Sequence, residues 1–193
     1  PVDDNGDGIL QTSEIRDERV VWINHVGPNN SLGRSLCIGT DGNLWLGDYN
    51  NRTYYKVKAS DGAILAGPIS TGNLNPYGCL VNSDGTLYSA SLGGPMGVLD
   101  TNTNTWLASL SHPGSIYGIG LGNGKAYLSG GSRYVEFDPN VGVGEPDGNP
   151  ATGTFTQPGD VSTSTLGISV DGDGNIVLGQ STIRKYNAAG VTQ

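Results

Sequence analysis

Short alternations of apolar and polar residues recur four times along the chain, and each recurrence surrounds a tight turn. The turn glycines Gly42, Gly85, Gly124 and Gly174 each follow Asp or Asn and lie 43, 39 and 50 residues apart. Such dipeptides supply the positive φ angles that a tight hairpin needs. Each copy therefore predicts a β-hairpin; the copies read LCIGTDGNLWLGDYN (36–50), GCLVNSDGTLYSASL (78–92), GIGLGNGKAYLSGGS (118–132) and GISVDGDGNIVLGQS (167–181).

Further strand-like segments follow each hairpin. A third strand is expected at 53–59, 96–102, 134–139 and 183–189, and a fourth at 106–111 and 153–157. Three to four strands every ~40–45 residues are typical of β-propeller blades. We therefore expect an all-β propeller with blades near 31–75, 76–115, 116–160 and 161–193, the longest repeat carrying an inserted loop at 139–150. A β-sandwich with coincidental hairpins is the alternative.

The first fifteen residues match the pattern of a calcium loop without mismatch. Carboxylate and carbonyl oxygens at these spacings suit calcium, and Gly8 permits the sharp turn that the loop requires. The ligands would be Asp3, Asn5, Asp7, the carbonyl of Ile9, Gln11 through a water, and the bidentate Glu14. We predict bound Ca²⁺ in a small N-terminal unit, 1–18, and residues 12–19 could form a short helix after the loop. An acidic linker that binds the ion weakly is the alternative.

Two resemblances follow from these motifs. Units such as PYGCLVNSDGTLYSASLGGPMGVLDTNT (76–103) resemble blades of the NHL and streptogramin-lyase-like propellers, over roughly residues 31–193. The N-terminal loop resembles EF-hand and dockerin loops of large bacterial surface proteins. The resemblance to streptogramin lyases implies an active site of histidine and glutamate side chains with a magnesium ion on one face of the propeller. This chain has one strand glutamate, Glu136, and no histidine within a blade strand, which argues against lyase activity.

The last repeat ends after its third strand, so closure of the ring is a separate question. Residues 19–26 (RVVWINHV) are strand-like and could supply the missing outer strand of a four-bladed ring. Alternatively, the chain is a piece of a longer protein, or a second copy donates the strand and builds open assemblies. The opening at Pro1 rather than Met favours a processed or trimmed chain.

The amino-acid composition restricts the classes of binding partner that we expect. The net charge of −8 and pI of about 4.5 argue against nucleic acid and anionic membrane surfaces. No apolar run of transmembrane length occurs, so we expect no membrane insertion. Cys37 and Cys79 hold similar places in adjacent repeats. We expect them to be buried free thiols, with a disulfide as the alternative.

Candidate binding chemistry lies among aromatic residues on the blade strands and turns. Aromatic side chains beside Asn and Asp can bind sugars or peptides, although more often they pack between blades. The predicted ligand patch is Trp45, Asp48 and Tyr49. N-glycosylation sequons occur at Asn29 and Asn51. They would be used only on a secretory route.

No catalytic motif stands out. Of the two histidines, His112 lies in an expected loop between blades, and a lyase or hydrolase face would have to combine it with Glu136, Asp48 and Asp100. We expect a non-catalytic, secreted or cell-surface propeller with structural calcium, acting as a structural or adhesive module or a subunit of a larger, even filamentous, assembly. Its partners would be proteins or glycans at the cell surface. A propeller enzyme and a carbohydrate-binding module are the alternatives.

Overall fold

The computed structural model describes residues 20–111, 116–130, 133–140, 151–156, 165–179 and 181–187. Within these ranges the regular elements are all β-strands, arranged as four antiparallel sheets in chain order. None of the described segments forms a helix that could cross a membrane. The expectation of an all-β chain built from sheets of three to four strands is confirmed.

Each sheet is a meander in which consecutive strands pair, and the sheets are named blades 1 to 4. Blade 1 holds β1 (Gly33–Ile38), β2 (Leu44–Asp48), β3 (Thr53–Val57) and β4 (Ile64–Ser70). Blade 2 holds β5 (Gly78–Val81), β6 (Thr86–Ala90), β7 (Met96–Asp100) and β8 (Thr105–Leu110). Blade 3 holds β9 (Gly118–Gly122), β10 (Lys125–Gly130), β11 (Arg133–Asp138) and β12 (Thr154–Thr156), and blade 4 holds β13 (Gly167–Val170), β14 (Ile176–Gly179) and β15 (Ile183–Tyr186).

The hairpin turns form where the sequence predicts them. In the β9–β10 turn both central residues have positive φ, 53° at Asn123 and 73° at Gly124. This is the combination that matches the twist of the flanking strands. In the other three hairpins the turn glycine has positive φ and an aspartate side chain accepts a backbone N–H two residues later, as between Asp84 and Thr86 at 2.8 Å.

The core consists of three layers, each between two consecutive blades. The layer between blades 1 and 2 is built on Trp45, Tyr54 and Leu87. Within it, the Tyr54 hydroxyl lies 2.8 Å from both Ser35 Oγ and Ser89 Oγ, and the bond with Ser89 crosses from blade 1 to blade 2. Burial raises the pKa of Tyr54 to about 12, which keeps the phenol neutral at physiological pH.

Cys37 and Cys79 form a disulfide, so the expectation of free thiols is wrong. Their Cα atoms are 5.7 Å apart because the first strands of blades 1 and 2 lie side by side, which the sequence does not reveal. The bond crosses the same layer that Tyr54 bridges. The first two blades are therefore joined covalently.

The expectation that residues 19–26 supply a closing strand is also wrong. Residues 20–26 form no strand and do not pair with blade 4. The indole N–H of Trp22 instead donates to the carbonyl of Ala59 at 2.7 Å, and the Asn24 amide donates to the carbonyl of Gly62 at 2.7 Å. These contacts hold the segment against the β3–β4 turn, because the exposed turn carbonyls accept bonds that a paired strand would not offer.

Candidate functional site

The described part of the chain brings an arginine and three tyrosines together at one end of the blades. This end, called the upper end, is where the first strand of each blade begins. Tyr77 and Tyr117 stand immediately before the first strands of blades 2 and 3, and Arg34 is the second residue of β1. Tyr49 follows the last residue of β2, which ends at the same edge of blade 1. We call these four residues the aromatic cluster.

The aromatic cluster is continuous across three blades. The Arg34 guanidinium lies 5.5 Å from the ring centre of Tyr49 and 5.2 Å from that of Tyr77. Its Nη1 donates to the Tyr77 hydroxyl at 3.2 Å, and that hydroxyl donates to the hydroxyl of Tyr117 at 3.0 Å. The Tyr77 ring centre is 6.2 Å from that of Tyr49 and 5.0 Å from that of Tyr117.

Backbone contacts position these side chains. The N–H of Tyr77 donates to Ala90 and that of Tyr117 donates to Ser129, which extends each sheet by one pairing beyond its first strand. The Asn75 side chain donates to the carbonyl of Tyr49 at 2.7 Å and ties the β4–β5 connection to the β2–β3 turn. The rings are therefore fixed by sheet backbone rather than by loops alone.

The cluster combines groups that suit ligand recognition. Arg34 is exposed and the three tyrosines are half-buried, so ring faces, hydroxyls and a cation all reach solvent. Tyrosine rings give large contact area at low entropic cost, and a guanidinium adds directional donors.

The predicted ligand patch is not a surface patch. Trp45 is 0% exposed and Asp48 is 1% exposed, whereas Tyr49 is half-buried and belongs to the aromatic cluster. The Trp45 side chain points into the layer between blades 1 and 2, with Lys56 Nζ 5.6 Å from its ring centre. Alternation along β2 places Trp45 on the face covered by blade 2, so the expected patch with Trp45 and Asp48 is wrong.

Asp48 is an internal hydrogen-bond acceptor. Its carboxylate accepts bonds from the Ser31 hydroxyl at 2.7 Å, the Leu32 N–H at 3.0 Å and the Asn51 side chain at 2.7 Å, and also from the N–H groups of Asn50 and Asn51. Burial by itself would raise the pKa of Asp48, but these hydrogen bonds outweigh it and the pKa is lowered. The residue therefore stabilises the edge of blade 1.

The two sequons differ in availability. Asn29 is exposed in the turn that precedes blade 1. The Asn51 side-chain nitrogen, the atom that a glycan would occupy, donates instead to Asp48 at 2.7 Å. Glycosylation at Asn51 would compete with a contact to a buried carboxylate, so Asn29 is the better placed acceptor.

The residues considered for catalysis do not converge. Glu136 forms an ion pair with Lys125, and this hydrogen bond raises the pKa of the lysine. Asp48 lies at the upper end of blade 1, whereas Asp100 lies at the opposite end of blade 2 and accepts bonds from its own turn. His112 lies outside the described residues.

The calcium prediction also concerns residues that the structure does not describe. Asp3, Asn5, Asp7, Ile9, Gln11 and Glu14 all lie outside the described ranges. Among the described residues, no group of three or more His, Cys, Asp or Glu side chains is arranged to hold a metal ion. The acidic segment 170–175 is a hairpin turn, as expected, in which Asp171 accepts bonds from Asn175 and Lys185.

The aromatic cluster has a signal in the sequence that residue-type reasoning missed. Tyr-Gly occurs where the first strand begins in two consecutive repeats, at Tyr77–Gly78 and Tyr117–Gly118. Residues at one position of successive repeats lie at one end of a propeller. Arg34 occupies the position of blade 1 that corresponds to Tyr77 in blade 2. It could not be found in this way, because it is not a tyrosine.

Comparison with known proteins identifies the architecture. No family model matches the chain, and no curated protein matches it. Solved structures do match, at low sequence identity. A gluconolactonase from Xanthomonas campestris is 16% identical with a TM-score of 0.61 over 84% of this chain, and the WD40 repeats of RRP9 are 10% identical with a TM-score of 0.65 over 86%. The chain has a β-propeller fold.

The matches also show how much of a propeller the chain represents. The computationally designed Ika4 protein, 13% identical with a TM-score of 0.65 over 87% of this chain, is matched over 97% of its own length. The chain covers 61% of the gluconolactonase and 52% of the RRP9 repeats. It therefore spans about half of the larger propellers. At these identities the likeness shows the fold alone.

Proposed function

We propose that this chain is a non-catalytic propeller module of the extracellular space or cell surface, which binds a protein or glycan through the aromatic cluster. The observation that carries the binding role is the continuous set of Tyr49, Tyr77, Tyr117 and Arg34 across three blades. Surface tyrosines and arginine are enriched in binding sites because they combine apolar area with polar tips.

The disulfide supports the proposed location. Cys37–Cys79 is a bond of the kind that forms and persists in oxidising compartments, outside the cytosol. Asn29 would then be exposed to glycosylating enzymes in hosts that possess them. We also propose that the blades are NHL-like and that the chain serves as a subunit of a surface structure or of a larger assembly.

A propeller enzyme is the second candidate, because a gluconolactonase is among the similar structures. Glu136 and Asp48, the carboxylates considered for such a role, are committed to Lys125 and to the edge of blade 1. Non-catalytic binding is therefore the better supported function.

Binding is tested with an array of glycans and with peptides from surface proteins. Tyr77→Ala and Tyr117→Ala should each weaken binding of any captured ligand by at least about tenfold, since both truncate the centre of the cluster. Trp22→Ala is the matched control, because it removes a half-buried aromatic residue at the opposite end of the blades. Equal losses in all three variants, or ligand binding that none of them changes, would contradict the proposal.

We further propose that the N-terminal loop binds one structural Ca²⁺. Calcium should raise the melting temperature, because an ion that binds only the folded state stabilises it by mass action. The double variant Asp7→Ala with Glu14→Ala should abolish this rise. The control is the double variant Asp171→Ala with Asp173→Ala in the hairpin, which should keep it. Identical melting curves in calcium and in chelator would refute the site.

A further inference from the structure

Every blade has two faces with different neighbours. The leading face is directed towards the preceding blade in the chain, and the trailing face towards the following one. Between blades 1 and 2, the trailing face contributes Cys37, Trp45 and Tyr54, and the leading face contributes Leu87 and Leu99 together with Cys79. The same strand positions form the layers between blades 2 and 3 and between blades 3 and 4.

The leading face of blade 1 has this composition, but no described blade packs against it. Its residues on β3, Tyr55 and Val57, are buried, whereas the part of the face on β1 is open. The face carries Leu36 and Ile38 on β1 and Leu44 and Leu46 on β2, at the positions that contact the preceding blade in blades 2, 3 and 4. Leu36 is 63% exposed and Ile38 is 66% exposed. The residue that corresponds to Leu36 in blade 2 is Cys79, which is buried. Apolar side chains in this pattern indicate an interface that lacks its partner.

The trailing face of blade 4 is open in the same way. Ile183 is 78% exposed, whereas the corresponding residues of blades 1, 2 and 3, namely Tyr54, Met96 and Tyr134, are all buried. Its neighbour on β14, Val177, is only partly buried. Among the described strands, none of blade 4 packs extensively against a strand of blade 1. The two open faces are therefore the two halves of an interface that occurs three times within the chain.

We propose that the trailing face of blade 4 packs on the leading face of blade 1 of a second copy, and that two copies close one ring of eight blades. Four blades cover 52% of the RRP9 repeats and 61% of the gluconolactonase, so a larger propeller needs further blades, which a second copy can supply. A two-fold ring fills both open faces of both copies, which an open chain of copies does not. The inference does not depend on the binding role of the aromatic cluster.

The internal disulfide provides the design for a direct test. Cys37 lies on the trailing face of blade 1 and Cys79 on the leading face of blade 2. The corresponding positions across the proposed interface are Ser169 on blade 4 and Leu36 on blade 1, counted from the turn glycines Gly174 and Gly42. The double variant Ser169→Cys with Leu36→Cys should form covalent dimers on oxidation, seen on a non-reducing gel.

The alternatives give different products. Each single variant should stay monomeric on the gel, because one half of the cross-link is missing. A double variant that bonds within one chain would mean that four blades close by themselves, and a ladder of larger species would mean an open filament. Either result, or a double variant that does not cross-link, would overturn the proposal.

A second measurement does not require a cross-link. Sedimentation of the unmodified 193-residue chain should show a monomer–dimer equilibrium, and Leu36→Glu should raise the dimer dissociation constant by at least about tenfold, because it places an unpaired charge in an apolar interface. Leu107→Glu is the matched control, since Leu107 is also exposed but lies on the outer strand β8 of blade 2. Circular dichroism would show that both variants are folded. Equal sedimentation of the two variants would contradict the proposal.

Discussion

Five hydrogen bonds converge on the carboxylate of Asp48, three of them from Asn50 and Asn51 in the β2–β3 turn. The other two donors are the Ser31 hydroxyl and the Leu32 N–H, in the segment that leads into β1. A buried carboxylate in this position reinforces the backbone bond that the Tyr49 N–H donates to the carbonyl of Leu32. Asp48 therefore helps to order the upper end of blade 1, where Tyr49 joins the aromatic cluster.

Asp48→Ala should lower the free energy of unfolding by about 2–3 kcal/mol, because it leaves several donors without an acceptor. Urea unfolding at neutral pH measures this loss. Asp61→Ala is the control, since Asp61 is exposed in the β3–β4 turn and should leave the urea midpoint nearly unchanged. Equal midpoints for the two variants would show that the Asp48 network is not stabilising.

The same residue makes stability depend on pH. The folded-state pKa of Asp48 is lowered, and that of Asp41 is lowered to about 2, chiefly by its hydrogen bond from Lys56. A lowered folded pKa gives stability that is present above the unfolded value of about 4 and lost as the pH falls through the folded value. Urea midpoints should therefore drop between about pH 4 and pH 2, and Asp48→Asn should show a shallower drop. An unchanged slope in that variant would argue against this assignment.

At the scale of the elements, the hairpin turns are where local chemistry decides the structure. Gly42 has a φ of 78° and an added Cβ would contact nothing within 4 Å, so only the backbone conformation requires glycine there. Gly78 also has open space around it but does not have positive φ. Alanine substitutions at the two positions can therefore be compared to isolate the cost of backbone strain, because neither adds a steric contact.

Gly42→Ala should destabilise the protein by about 1 kcal/mol, because alanine adopts the left-handed conformation at a cost. Gly78→Ala should have little effect on the same measurement, which is the midpoint of chemical unfolding. If both substitutions changed the midpoint equally, the turn conformation would not be the source of the loss.

The hairpins could be predicted from the sequence because turn and strand signals are local. β4 could not, because Gly67 and Pro68 interrupt its apolar pattern, and an outer strand tolerates proline since it needs fewer ladder donors. The pairing of Cys37 with Cys79 and the burial of Trp45 depend on which blade covers which face. The aromatic cluster likewise combines residues from three blades. Contacts between repeats are not encoded in the pattern of any one repeat.

At the scale of the whole molecule, stability is a sum over blades and the layers between them. The layer between blades 1 and 2 differs from the others because Cys37–Cys79 closes a segment with a sequence separation of 42 residues. A cross-link of this length restricts the unfolded chain, and such bonds typically contribute about 2–4 kcal/mol. The first two blades should therefore be the last to separate.

Cys37→Ser combined with Cys79→Ser should lower the free energy of unfolding by about 2–4 kcal/mol. Calorimetry or urea unfolding of the double variant beside the oxidised parent measures the change. Reduction of the parent should reproduce it, and the reductant should leave the double variant unaffected. A double variant as stable as the oxidised parent would show that the packing of the layer suffices.

A covalent link between neighbouring blades also has a mechanical consequence, because it limits how far the chain can extend under tension. A chain pulled along its length releases about 3.3–3.6 Å for each residue that unravels. The segment enclosed by Cys37 and Cys79 cannot be drawn out while the bond is intact, which withholds roughly 140 Å of extension. Under tension, the oxidised protein would act as a short tether and the reduced protein as a longer, more compliant one.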